Sequence, residues 1–124
     1  MTILKTYARE FVENIEEALP WFENLHGRKA DLRFRFEGFE LAAIGDVLLI
    51  AGDSENYRHG LGPLIVDDVD ATVSELVEHG AEIVSRFVAQ TGRGYYVRHG
   101  GVTVEYLQWN DEVLNQVLGR RSGT

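Results

Sequence analysis

The chain spells one pattern twice. "VENIEEA" (12–18) is echoed by "VDDVDAT" (66–72), about 54 residues on. "HG" at His26–Gly27 is echoed at His79–Gly80, and "GDVLLI" (45–50) by "GGVTVE" (100–105). Self-similarity of that period marks one supersecondary unit that has been duplicated, each copy unable to bury its apolar face alone. Whatever the chain folds into must therefore place two similar units so that they cover each other.

Each copy reads as strand, helix, then three strands. In the first, residues 3–12 form a strand. A helix follows, with Ile15, Ala18, Leu19, Phe22 and Leu25 at helical spacing. Asn14 is its N-cap and Glu17 stands at the capping-box position. Pro20 lies inside this helix and predicts a kink, because it has no N–H to donate. Strands at 30–36, 39–44 and 47–51 are separated by turns at Glu37–Gly38 and Gly45–Asp46. The polar, glycine-bounded segment 52–60 joins the halves. The second copy has a strand at 61–66 and a helix capped by Asp68, with Val69, Thr72, Val73, Leu76 and Val77 facing in and Gly80 ending it. Strands at 82–87, 94–98 and 102–108 follow, "TGRG" (91–94) reading as a hairpin loop over the cleft. A short helix at 110–118 closes the chain. The expectation is one α+β domain over residues 1–124, with modules at 3–52 and 61–108. Each helix covers one face of its own sheet, and the remaining faces meet or line a cavity.

Composition narrows the function classes. The 124 residues carry a net charge of −8, which disfavours a nucleic-acid backbone as partner and is compatible with a cationic small molecule. There is no cysteine, which excludes thiolate nucleophiles, disulfides and thiolate-bound metals. No run of about 18 apolar residues is present to span a membrane, and the first residues do not resemble a signal peptide, so a cytoplasmic protein is expected.

"FVENIEEALPWFENLHG", "VDDVDATVSELVEHGAEIV" and "TGRGYYVRHGGVTVEYLQ", in duplicated βαβββ order, resemble the vicinal oxygen chelate superfamily, which includes glyoxalase I, bleomycin-resistance proteins and extradiol dioxygenases. The resemblance implies two βαβββ modules forming a curled mixed sheet around a cleft, and a homodimer. In metal-dependent members four ligands face the cleft. Carried over, those positions fall on Tyr7, on Leu49 or Ile50, on Leu61, and on Glu105. Only Glu105 is a good ligand, and a metal site needs at least three protein donors. No cofactor is therefore expected. His59 and His99 are the residues that would join Glu105 around a divalent ion if the ligand set were reorganised. The turn "RHGG" (98–101) is one residue shorter than the family's usual turn there.

Glu105 alternates with Val104 and Tyr106, and a carboxylate in an apolar-lined cleft is the leading candidate for a catalytic base. Tyr7, Arg9 and Phe11 share one side of their strand, so Tyr7 and Arg9 are expected to face Glu105, while Glu10 falls on the helix side. Phe34 and Phe36 alternate with Arg33 and Arg35 and are candidates for the cleft wall. Tyr57, Tyr95, Tyr96 and Trp109 are candidates for a ligand-stacking surface, and Trp21 for an interface. Two functions fit. One is a metal-independent binding protein for an aromatic or cationic small molecule. The alternative is a metal-dependent glyoxalase-like lyase or dioxygenase-like enzyme built around Glu105.

Overall fold

The computed structural model describes residues 2–52 and 60–119. Its elements run β1 (Ile3–Thr6), β2 (Ala8–Val12), α1 (Ile15–His26), β3 (Leu32–Phe36), β4 (Phe39–Ile44), β5 (Val47–Ala51), β6 (Leu61–Val66), α2 (Val69–Glu78), β7 (Glu82–Ala89), β8 (Gly92–His99), β9 (Val102–Trp109) and α3 (Asp111–Leu118). The expected first strand is split at Tyr7. The reason is a change of partner: β1 pairs antiparallel with β6, whereas β2 pairs parallel with β5. The strand thus stitches together a five-stranded sheet, β1-β6-β9-β8-β7, and a four-stranded sheet, β2-β5-β4-β3.

The helices form where the caps foretell. Asn14 accepts a hydrogen bond from the Glu17 amide at 3.1 Å, and Asp68 one from the Ala71 amide at 3.1 Å. Pro20 does not interrupt α1, which runs unbroken from Ile15 to His26. Proline removes its own donor and crowds the carbonyl one turn back, so the cost falls on Glu16. Leu25 departs from its expected inward position and is exposed, as is Trp21, while Ile15 and Leu19 are buried.

Strand alternation divides the apolar residues among three clusters. On β5, Leu49 and Ala51 join Ile15 and Leu19 beneath α1. Val66, Val97, Val104 and Tyr106 join Val69 and Val73 beneath α2. The opposite faces of the two sheets meet in a third cluster, where Leu41, Leu48 and Ile50 of one sheet pack with Ile65, Leu107 and Trp109 of the other. Val113 of α3 closes this shared interior at one side. Each module supplies one sheet face to it, as the duplication requires. Burying each Leu or Ile there contributes about 1.5–3 kcal/mol. Among the described residues no helix is long and apolar enough to cross a membrane.

Candidate ligand site between the sheets

Glu105 lies on β9 directly across from Tyr96 of β8, on the same face as Leu107 and Trp109. That is the face shared by the two sheets, and Glu105 is only 6% exposed there. From the other module, Arg9 registers with Leu48 and Phe11 with Ile50, which sets both on the interior face. The Arg9 guanidinium lies 5.6 Å from the Phe11 ring centre and donates to the Gly60 carbonyl. Neither Arg9 nor Glu105 is without a partner. Glu10, on the reverse face, is exposed, so the facing read from the alternation holds.

Phe34 and Phe36 also point into the interior and are half-buried. Phe36 meets Phe87 of β7 at 5.6 Å between ring centres, and Phe87 meets Tyr96 at 5.0 Å. These rings join the outermost strand of one sheet to the outermost strand of the other. Phe87 was not among the residues singled out from sequence. The signal that could have found it is Gly94, its cross-strand partner. A Cβ on Gly94 would sit 2.4 Å from the Phe87 ring and 2.3 Å from the Tyr106 carbonyl oxygen, so the ring needs glycine beneath it.

Several expected site residues lie elsewhere. Tyr95 is on the face covered by α2, where its hydroxyl donates to Asp70 at 2.8 Å; one step along a strand reverses the face, so it cannot share a wall with Tyr96. Asp70 also pairs with Arg93 at 2.7 Å, and the hydrogen bond from Tyr95 followed by that from Arg93 lowers its pKa. Trp109 is on the interior face but buried against Tyr7, 6.1 Å between ring centres, beside Val113 of α3, so it is core rather than a stacking surface. His99 lies on the helix face with its Nε2 at 2.7 Å from the Tyr106 hydroxyl, turned away from Glu105. "TGRG" is not a loop over the cleft: the turn is Gln90–Thr91, and Gly92 to Gly94 are already in β8. Tyr57 and His59 lie outside the described residues.

Tyr7 stands at the junction of β1 and β2, 9% exposed. Its hydroxyl has no hydrogen-bond partner among the described residues. Burial, followed by the charges of Asp31 and Asp46, raises its pKa above the ordinary tyrosine value, so it is a proton donor at neutral pH.

The described residues do not fit the family's metal centre. Ile50 occupies the inner position on β5 and has no donor atom, while Leu49 is under α1. Leu61 is exposed and registers with Val104, not with Glu105. Among the described residues no three His, Cys, Asp or Glu side chains gather as a metal site would require.

No family model matches the chain, and no curated protein matches it. Among solved structures, an uncharacterized protein from Methanosarcina mazei is similar, with 34% identity over 89% of this chain and 95% of that one and a TM-score of 0.80. At that identity and coverage the chain belongs to one family with the Methanosarcina mazei protein. Methylmalonyl-CoA epimerase from Mycobacterium tuberculosis matches with a TM-score of 0.71 at 15% identity, covering 90% of this chain and 91% of that one. The Streptomyces coelicolor methylmalonyl-CoA epimerase, in complex with 2-nitronate-propionyl-CoA, matches at 0.66 and 11%, covering 89% and 97%. The fold is that of the glyoxalase and bleomycin-resistance proteins, two βαβββ modules in an α+β domain.

Proposed function

We propose that this chain is a metal-independent, small-molecule-binding member of the vicinal oxygen chelate superfamily. Its ligand lies against the interior face, with an aromatic or other planar body on Phe34, Phe36, Phe87 and Tyr96. The observation that carries the reading is Glu105, an acidic side chain 6% exposed on the interior face, beside Leu107 on its own strand and across from Tyr96. An acidic side chain buried on a face shared by two sheets is a functional-site candidate. Glu105 then accepts hydrogen bonds from the ligand, or meets its positive charge if the ligand is cationic.

The test is fluorescence quenching across a panel of cationic and neutral aromatic compounds in a Trp21→Phe background, which leaves Trp109 as the reporter. Saturable quenching by at least one compound, weakened about tenfold or more in Glu105→Gln, is expected. A flat response to the whole panel overturns the reading. Exposed Trp21 and Leu25 on α1, and exposed Ile83, Val84 and Val88 on β7, support a homodimer. A sedimentation mass of 14.0 kDa at micromolar concentration would contradict it.

A second reading has support of its own. A carboxylate among aromatic rings is also how a proton-transferring enzyme holds its base, and two structures of this fold are epimerases. Deuterium incorporation into methylmalonyl-CoA in heavy water, lost in Glu105→Gln, would favour it. Stoichiometric zinc, nickel, manganese or iron in protein purified without chelator, and lost in Glu105→Ala, would instead favour the metal-dependent lyase or dioxygenase-like alternative.

A further inference from the structure

We infer that the outer face of α1 is the surface on which a second copy of this chain docks, the two α1 helices lying antiparallel about a two-fold axis. The inference rests on the homodimer reading above and specifies where the copies meet. On α1, Glu17, Trp21 and Leu25 follow one another at i, i+4 spacing and so share one stripe of the helix. Ile15 and Leu19, on the opposite side, are buried against the sheet. Trp21 is 74% exposed and Leu25 81%. Two large apolar side chains one turn apart in water mark an interaction surface. Lys29, just past the Gly27 cap, lines with Trp21 an open groove of about 610 Å³ that also includes Asn24 and Arg28.

The order of charges along the stripe selects the occupant. It starts on a carboxylate, Glu17, and ends on an ammonium, Lys29. A second copy laid antiparallel brings the partner's Lys29 to Glu17 and the partner's Leu25 to Trp21. Both contacts recur on the other side of the axis, which is the self-complementarity a two-fold interface requires. Laid parallel, the same stripe would set like charges together at both ends. Lys29 is available for the contact: its side chain is 93% exposed, and Glu23 lies 3.9 Å away, at the limit of an ion pair. The groove beside Trp21 gives the opposing indole a recess to enter. The other exposed apolar surface, on β7, is less suited to pairing. Its register with β8 shifts between Ile83 and Ser85, and Arg86 separates Val84 from Val88. Irregularity and charge on an edge strand oppose the docking of another strand. A copy docked on α1 also leaves the interior face free, because α1 covers the outer side of its sheet.

The test is sedimentation of the intact chain at micromolar concentration. The wild type is expected at twice the 14.0 kDa of one chain, and Leu25→Glu at 14.0 kDa. Glu17→Lys and Lys29→Glu each place like charges together at both ends of the interface, and each is expected to weaken the dimer about tenfold or more. Mixed in equal amounts, the two variants make both pairs opposite in sign again, and the dimer is expected to return. That recovery also shows both variants to be folded. A dimer unmoved by Leu25→Glu overturns the inference. So do charge variants that leave the dimer unweakened or that fail to recover on mixing. Each of those results leaves the homodimer reading standing, whereas a wild-type chain that sediments as a monomer overturns both.

Discussion

The closing strands of the two modules occupy equivalent places and do different things. β5 presents Leu48 and Ile50 to the interior; β9 presents Thr103, Glu105, Leu107 and Trp109. In the duplicated pattern Ile50 and Glu105 stand at the same position, the last letters of "GDVLLI" and "GGVTVE". One copy of the unit spends that position on core, and the other places a carboxylate there. On the β9 side, Phe36, Phe87 and Tyr96 form a run of ring contacts that joins both modules.

Exchanging the two characters tests the asymmetry most severely. Ile50 is 1% exposed among Leu41, Leu48 and Ile65. Ile50→Glu should therefore cost about 3–5 kcal/mol, the scale of an uncompensated buried charge. Urea unfolding will show it, and a loss under 1 kcal/mol would mean the two modules are not so different. Next in size is Gly94→Val, which drives a side chain into the Phe87 ring and the Tyr106 carbonyl. A loss of about 1–3 kcal/mol is expected from overpacking. Ligand quenching should fall with it if the proposed site, which includes the Phe87 ring, is correct.

The smallest effect concerns how each helix is tied to its sheet. In the first module Arg33 of β3 pairs with Glu16 of α1 at 2.7 Å; in the second Arg93 of β8 pairs with Asp70 of α2 at 2.7 Å. Asp70 is exposed, so Asp70→Asn should cost less than about 1 kcal/mol. Its pKa is lowered in the folded state by Tyr95 and then Arg93. The contribution is therefore complete above the ordinary carboxylate pKa and disappears as pH falls through the lowered value. Unfolding curves of the wild type and Asp70→Asn should converge at acid pH, and a constant gap would point to lost packing instead.

Much of this architecture is legible in the sequence. Period-two alternation in β9 placed Glu105 opposite Val104 and Tyr106, and the same rule set Tyr7, Arg9 and Phe11 on one face of their strand. Asn14 and Asp68 announced their helices because a cap is a local hydrogen bond. What was not legible depends on register between strands. Tyr95 and Tyr96 are equally aromatic, and only the pairing with β9 shows that Tyr96 shares Glu105's face. Trp109 alternates as an interior residue should, but its burial depends on α3 folding back over it. Leu25 keeps helical spacing with Ile15 and Phe22 yet is exposed, which spacing alone does not reveal. Phe87 needed a contact between strands from opposite ends of the chain's fold, which no local pattern records.

The central claim is that a small molecule binds between the sheets, on the face that carries Glu105. Amide chemical-shift mapping with a compound from the quenching panel tests it most directly. The prediction is that the largest shifts fall on Arg9, Phe34, Tyr96 and Glu105 and on their strand neighbours. Shifts confined to the exposed α1 surface around Trp21 and Leu25, with the interior strands unmoved, would contradict it.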